Sequence, residues 1–257
     1  MTGWAVGVAA TVGLAGGTVL ALPVYRLAVP WCEPAEGDPR SPTRDACPSC
    51  GHGFPAGVPG WVSIGSRCRH CAARLGPPAW LLALIAGAGA AGLGWRIGPH
   101  PDLLPYLFGL LLGVLLGTVD VASQRLPDAV VYPGIAITIA LFAVVATVQH
   151  DLGAVARAVA AGAALFVGYL LLALLPGAAI GGGDLGLAAL LGLYLGWRGW
   201  PVVVLGAALP WLLQALVALI AVARGRAGAT TMLAFGPSML VGAYLVLVAL
   251  PGGAVPR

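Results

Sequence analysis

Charge is what this sequence lacks. Of 257 residues, 9% are charged and 60% are hydrophobic, where a soluble domain carries about 25% charged residues. That excludes a soluble globular domain and marks an integral membrane protein. Lysine is absent altogether: the thirteen basic residues are all Arg, against nine acidic ones. The net charge of +4 therefore points to no nucleic-acid partner, because basic groups in polytopic proteins mainly set orientation. The apolar stretch from Trp4 to Leu22 also lacks a preceding basic region and a small-x-small cleavage site. It is expected to be a retained helix and not a signal peptide.

What is abundant is apolar sequence in blocks of the length a bilayer needs, about 20 residues each with Gly and Pro tolerated. Eight spans are expected, at 4–26, 79–97, 103–122, 128–149, 154–176, 184–199, 200–223 and 231–250. The sixth and seventh are weakly separated at "GWRGWP", so seven is the competing count. The fold class is an all-α polytopic membrane protein with a small insert after its first helix. Three regions follow: 1–29, a first transmembrane helix; 30–78, polar, rich in Pro and Gly and holding all five Cys; and 79–257, a helical bundle. The insert is too small for a sizeable core and needs a staple. "GAGAAG" at Gly87, Gly89 and Gly92 formally matches a dinucleotide fingerprint. It follows no strand, so close helix approach through small residues is the better reading.

The Arg positions orient the chain. Arg26, Arg40, Arg44, Arg67, Arg69 and Arg74 lie in or beside the insert, and alternation of spans puts Arg125, Arg224 and Arg226 on the same side. Arg96, Arg157, Arg198 and Arg257 fall opposite. The Arg-rich face is expected to be cytoplasmic.

Within the insert, "CPSCGHGFPAGVPGWVSIGSRCRHC" presents Cys47, Cys50, Cys68 and Cys71 as two C-x-x-C pairs. Each pair offers two thiolates to one tetrahedral ion, and the spacing falls within four-cysteine zinc patterns. Two disulfides or free thiols are the alternative, disfavoured in a cytoplasmic loop. His52 and His70 are available, but four Cys already close the shell, which makes the ion structural. Cys32 is expected to be a leftover thiol.

Four of the nine acids, Glu33, Glu36, Asp38 and Asp45, lie in the insert, and Asp102 and Asp151 lie in short loops on the far face. Asp120, Asp128 and Asp184 fall near the cytoplasmic ends of spans. Asp128 in "RLPDAV" follows Pro127 and is explained by capping alone. A carboxylate inside a span costs about 2.5–3.5 kcal/mol on insertion scales, so Asp120 reads as functional by default. Asp184 in "GGGD" has two readings. It can cap the helix it opens, or it can pair with Asp120. Converging carboxylates share a proton, one ionised and one protonated, and such a pair can activate water and polarise a peptide carbonyl. Gly181 to Gly183 would then let a substrate strand approach.

Taken in order, "PVYRL" at 23–27, "CPSCG" and "RCRHC", Asp120 followed by "RLPD", "GGGD" at 181–184 and "FGP" at 235–237 resemble the type IV prepilin peptidases. These are bifunctional leader peptidase/N-methyltransferases related to the GxGD intramembrane aspartyl proteases. The resemblance implies a bacterial inner-membrane enzyme with catalytic Asp120 and Asp184. It implies Gly181 and Gly183 shaping the substrate loop, and a cytoplasmic zinc loop ligated by Cys47, Cys50, Cys68 and Cys71. Its substrates would be prepilin-like proteins cut at the cytoplasmic membrane face, and S-adenosylmethionine would be the donor for methylating the new N-terminus. Membrane lipid is the other expected partner, through the insert's Arg residues. Three departures stand out: Gly186 where the family has Lys, no acid in "PPAWLLALIAGAG", and Ala21 or Leu22 where it has Asn. The rival readings are a proton- or cation-coupled transporter using the Asp pair, and a zinc-scaffolded assembly factor without activity.

Overall fold

In a computed structural model of the chain, residues 3–29, 43–62, 64–176, 181–225 and 234–250 are described. Cys32, Glu33, Glu36, Asp38, Arg40, Arg226 and Arg257 lie outside them. Among the described residues the fold is helical, with only two isolated β-bridges. It divides into two compact units, Met1–Pro127 and Asp128–Arg257.

The first unit holds α1 (Gly3–Val19), α2 (Ala21–Leu27), a single 3₁₀ turn (Val58–Gly60), α3 (Ala79–Ile97) and α4 (Leu103–Ser123). The first expected span is not one straight helix. It bends by 45° between α1 and α2, because Pro23 offers no N–H to the carbonyl one turn back and its ring crowds that turn. Against α3, α1 packs through residues with almost no side chain. A Cβ on Gly17 would sit 2.6 Å from Ala83 Cα, and one on Gly94 would sit 2.8 Å from Ala9 Cβ. In the "GAGAAG" stretch Gly87 lies against Leu14 and Gly89 against Leu110, so its small residues serve helix approach.

The second unit holds α5 (Asp128–Gln149), α6 (Leu152–Ala173), α7 (Gly182–Arg198), α8 (Trp200–Ala223) and α9 (Gly236–Ala249). Gly162, Gly192 and Gly196 bring α6 and α7 into backbone contact, with a Cβ on Gly192 falling 2.6 Å from Gly162 Cα. Arg157 of α6 donates to the carbonyls of Gly196 (2.9 Å) and Trp197 (3.1 Å), closing the end of α7. The boundary within "GWRGWP" is real: Gly199, at φ +123°, breaks α7 from α8, in a region open mainly to glycine.

Five of the described helices are long and apolar enough to cross a membrane, or six if the bent α1–α2 pair is one span. The chain is a multi-pass membrane protein. The counterparts of the sixth and eighth expected spans are shorter, α7 at 17 residues and α9 at 14, where about 20 cross without bilayer adjustment.

Candidate active site

The four cysteines come together. Their sulfurs lie within 4.8 Å of one another, with Cys47 3.6 Å from Cys71 and Cys50 3.9 Å from Cys68. A zinc–sulfur bond of about 2.3 Å sets a tetrahedral edge of about 3.8 Å, so the donor set fits one ion. Each pair sits in the same local turn. Gly51 N–H donates to Cys47 O and Cys47 N–H to His52 O; Ala72 N–H donates to Cys68 O and Cys68 N–H to Ala73 O. Gly51 and Ala72 occupy matching positions at φ +68° and +59°. Backbone N–H groups of Cys71 and His70 pull the Cys68 thiol down to about 6, towards the thiolate a metal requires; Cys50, although a backbone bond from His52 lowers it, is pushed up to about 12 by burial and the neighbouring sulfurs.

What holds this node is a residue that counting charges placed only at a membrane edge. Arg26, on α2 and 7% exposed, donates from Nη1 to Gly60 O (2.8 Å), from Nε to Arg44 O (3.2 Å) and from Nη2 to Asp45 Oδ1 (2.7 Å). Its guanidinium lies 4.0 Å from the Trp61 ring centroid. Tyr25 donates to Ala46 O (3.3 Å) and packs with Leu22, Cys47, Cys68 and Leu75. The insert is therefore docked on α2. The signal was in the sequence as "VYR" within "PVYRL", but its partners are 18 to 34 residues away along the chain.

Asp120 is buried, 5% exposed, in the last turn of α4 in the first unit. That helix ends on Gln124, at φ +51°, whose N–H donates to Asp120 O. Asp184 is in the second unit, in the first turn of α7. Its Oδ2 accepts from Gly181 N–H (3.2 Å) and its own N–H donates to Gly181 O (3.1 Å), so it does cap the helix it opens. Among the described residues the backbone in front of it is open: a Cβ on Gly182 would meet none of them within 4 Å, and one on Gly181 only Asp184 Oδ2 at 3.6 Å. Gly183 follows in the same first turn of α7. Asp128 opens α5 and is exposed.

A sequence profile described as the type IV leader peptidase family matches residues 106–216. A prepilin leader peptidase/N-methyltransferase of Burkholderia pseudomallei is 36% identical over 212 residues, covering 79% of this chain and 66% of that protein. One from Klebsiella pneumoniae is 32% identical over 194 residues, covering 74% of this chain and 84% of that protein. The chain belongs to the type IV leader peptidase family. It matches just under two thirds of the length of the Burkholderia relatives. No solved structure gives a significant match.

Both Asp120 and Asp184 fall inside the leader peptidase match, and the cysteine insert falls outside it. The Lys-for-Gly departure at 186 has a packing counterpart. Gly186 is buried, and a Cβ there would lie 2.8 Å from Val131 Cγ1 on α5. A longer side chain fits only if Val131 moves. The same contact sets the first turns of α5 and α7 side by side. Phe235 of "FGP" packs tilted against Trp211 and Tyr169, at ring separations of 5.0 and 6.2 Å, joining α6, α8 and the start of α9.

Proposed function

We propose that this protein is a membrane aspartic endopeptidase that removes the leader of type IV prepilin-like proteins at the cytoplasmic membrane face, with Asp120 and Asp184 as the catalytic pair. The observation that carries the reading is a carboxylate at the start of an apolar helix, behind glycine backbone that no described residue obstructs, in a chain that belongs to this family. The start of α5 packs beside the start of α7, the helix that Asp184 opens, through Val131 and Gly186. Capping does not compete with chemistry, since it occupies Oδ2 and a carboxylate has a second oxygen.

In the proposed reaction the ionised aspartate takes a proton from water as the water oxygen bonds to the scissile carbonyl carbon. The protonated aspartate gives its proton to the carbonyl oxygen. The resulting diol collapses with proton transfer to the amide nitrogen, which leaves as the new N-terminal amine. Gly181 and Gly183 leave room for the substrate strand.

Residues 30–78 form the cytoplasmic insert of this reading, between the first helix at 1–29 and the catalytic bundle at 79–257, in the bacterial inner membrane. Cys47, Cys50, Cys68 and Cys71 hold a structural zinc whose bound form fixes the insert. Methylation of the new amine with S-adenosylmethionine is the second proposed activity. Position 186, occupied by Lys in the family, is a glycine packed on Val131, so no residue is assigned to that donor. Nothing among the relatives or the described residues favours a transporter.

The test is co-expression of a prepilin-like substrate with wild type, Asp120→Asn or Asp184→Asn, followed by gel shift and N-terminal mass. Each variant is expected to lose about 10²–10⁴-fold in cleavage. Cleavage surviving in either would falsify the pair. A cleaved, unmethylated wild-type product retires the transferase half.

A further inference from the structure

Between the two cysteine turns the insert exposes aliphatic surface that the metal node does not explain. Val58 is 72% exposed, Val62 48% and Ile64 85%. Outside a membrane, such apolar area left in water forgoes about 25 cal/mol per Å². At Val58 and Val62 the exposure is built into hydrogen-bonded backbone. Trp61 and Val62 N–H groups both donate to Val58 O (2.9 and 3.0 Å), and Gly60 O accepts from Arg26.

The height of this loop is set by the membrane helices. Arg26 is on α2, six residues beyond the bend at Leu20. At 1.5 Å per residue that is about 9 Å of helix, comparable to the headgroup layer on one side of a bilayer. The far side of the insert is fixed as well. A Cβ on Gly76 would lie 3.4 Å from Ala21 O and from Tyr25 Cβ, and α3 starts at Ala79. The insert's exit into α3 thus runs beside the same turn of α2 that anchors it through Tyr25 and Arg26.

We propose that the loop carrying Val58, Val62 and Ile64 inserts into the lipid interface beside the α1–α3 pair, with Arg67 and Arg69 binding headgroup phosphates. Both Arg residues are exposed. They line a shallow pocket with His52, Pro59 and Leu22, which joins the loop to the membrane helix. Among the described residues of the insert the one carboxylate is Asp45, and it is held by Arg26. Glu33, Glu36 and Asp38 lie outside the described residues; beside the loop itself the described side chains are Arg67, Arg69 and apolar ones, a pairing that suits anionic lipid. Trp61, half-buried under Arg26, is the residue type that favours this layer. This inference rests on the membrane helices alone and stands apart from the peptidase reading.

The test uses the full chain, with a genetically encoded environment-sensitive fluorophore in place of Ile64. The protein is reconstituted in vesicles of phosphatidylethanolamine and phosphatidylglycerol. Blue-shifted emission, strong quenching by lipids bearing a nitroxide high on the acyl chain, and weak quenching by aqueous iodide are expected. With Arg67→Gln and Arg69→Gln together, or in phosphatidylcholine alone, nitroxide quenching should fall at least about twofold, and Arg69→Gln alone, which keeps the Arg67 Nη1 bond to Ala72 O (3.2 Å), should show a fall with cysteine-bound zinc unchanged. Full iodide access without nitroxide quenching overturns the proposal. So does protection that arises only when a prepilin-like substrate is added, which would make the loop a protein-docking surface. An unchanged response in the double variant overturns the headgroup part.

Discussion

Truncating Arg26 to Ala would strip three hydrogen bonds and a stacked indole from one buried side chain. The ion pair with Asp45 is the least of these, because the Asp45 side chain is 65% exposed and such pairs contribute little. The buried bond to Gly60 O and the packing on Trp61 matter more. Arg26→Ala is expected to loosen the insert by about 2–4 kcal/mol, read as faster zinc release to a colorimetric chelator. Arg26→Lys should rescue little, since an ammonium cannot reproduce the planar fork. Ala72 makes a second residue-scale case. It holds φ +59° where its counterpart Gly51 holds +68°, a conformation that costs an L residue about 1–2 kcal/mol. Ala72→Gly should hold metal at least as tightly in chelator competition, and Ala72→Val should hold it more weakly. The cysteines were legible from the sequence because their chemistry depends on spacing that survives any fold. Arg26 was legible as a charge and as part of "PVYRL" but not as the insert's anchor, since its worth lies in carbonyls distant along the chain.

Helices were legible in order and nearly in extent, because twenty apolar residues in lipid have one solution for their backbone polar groups. The misses are at breaks. A composition window does not see that Pro23 bends the first span, nor that Gly199 at φ +123° divides "GWRGWP" cleanly. Lateral polar contacts were also invisible. Thr138 of α5 and Tyr194 of α7 share a hydrogen bond of 2.9 Å in the interior of the second unit. Phe142 packs on Tyr194 and stacks with Trp197 at 4.4 Å. This seam fixes the register of α7, and with it the place of Asp184 at its start. Thr138→Val keeps the volume and removes the partner, and is expected to cost about 0.6–1.7 kcal/mol, seen as a lower thermal midpoint in detergent. Gly17→Leu on α1 should cost more, because its Cβ alone falls 2.6 Å from Ala83 Cα and the two helices must part. A Gly17→Leu protein with unchanged thermal stability would contradict that packing.

At the scale of the whole molecule, parts held by different forces should fail separately. The membrane helices satisfy their own backbone and bury small-residue seams, and neither depends on metal. The insert is different: the apolar side chains around its cysteines are few, Leu22, Tyr25 and Leu75 with Phe54 and Ala73 against them. Four sulfurs within 4.8 Å also crowd ionisable groups that repel once deprotonated. Without a cation this node has no reason to stay closed, and ligand binding by such modules is folding free energy. Stripping the metal with a strong chelator is therefore expected to leave far-UV helix signal nearly unchanged. Protease sites between Arg26 and Ala79 should open at the same time, and added zinc should close them again. Cys47→Ser should show the same selective cleavage without chelator. The proposed leader cleavage should fall under both treatments while the helices persist, because α2 and α3 flank the insert directly. If metal-free protein keeps its protease resistance throughout that segment, the four cysteines are not what staples it.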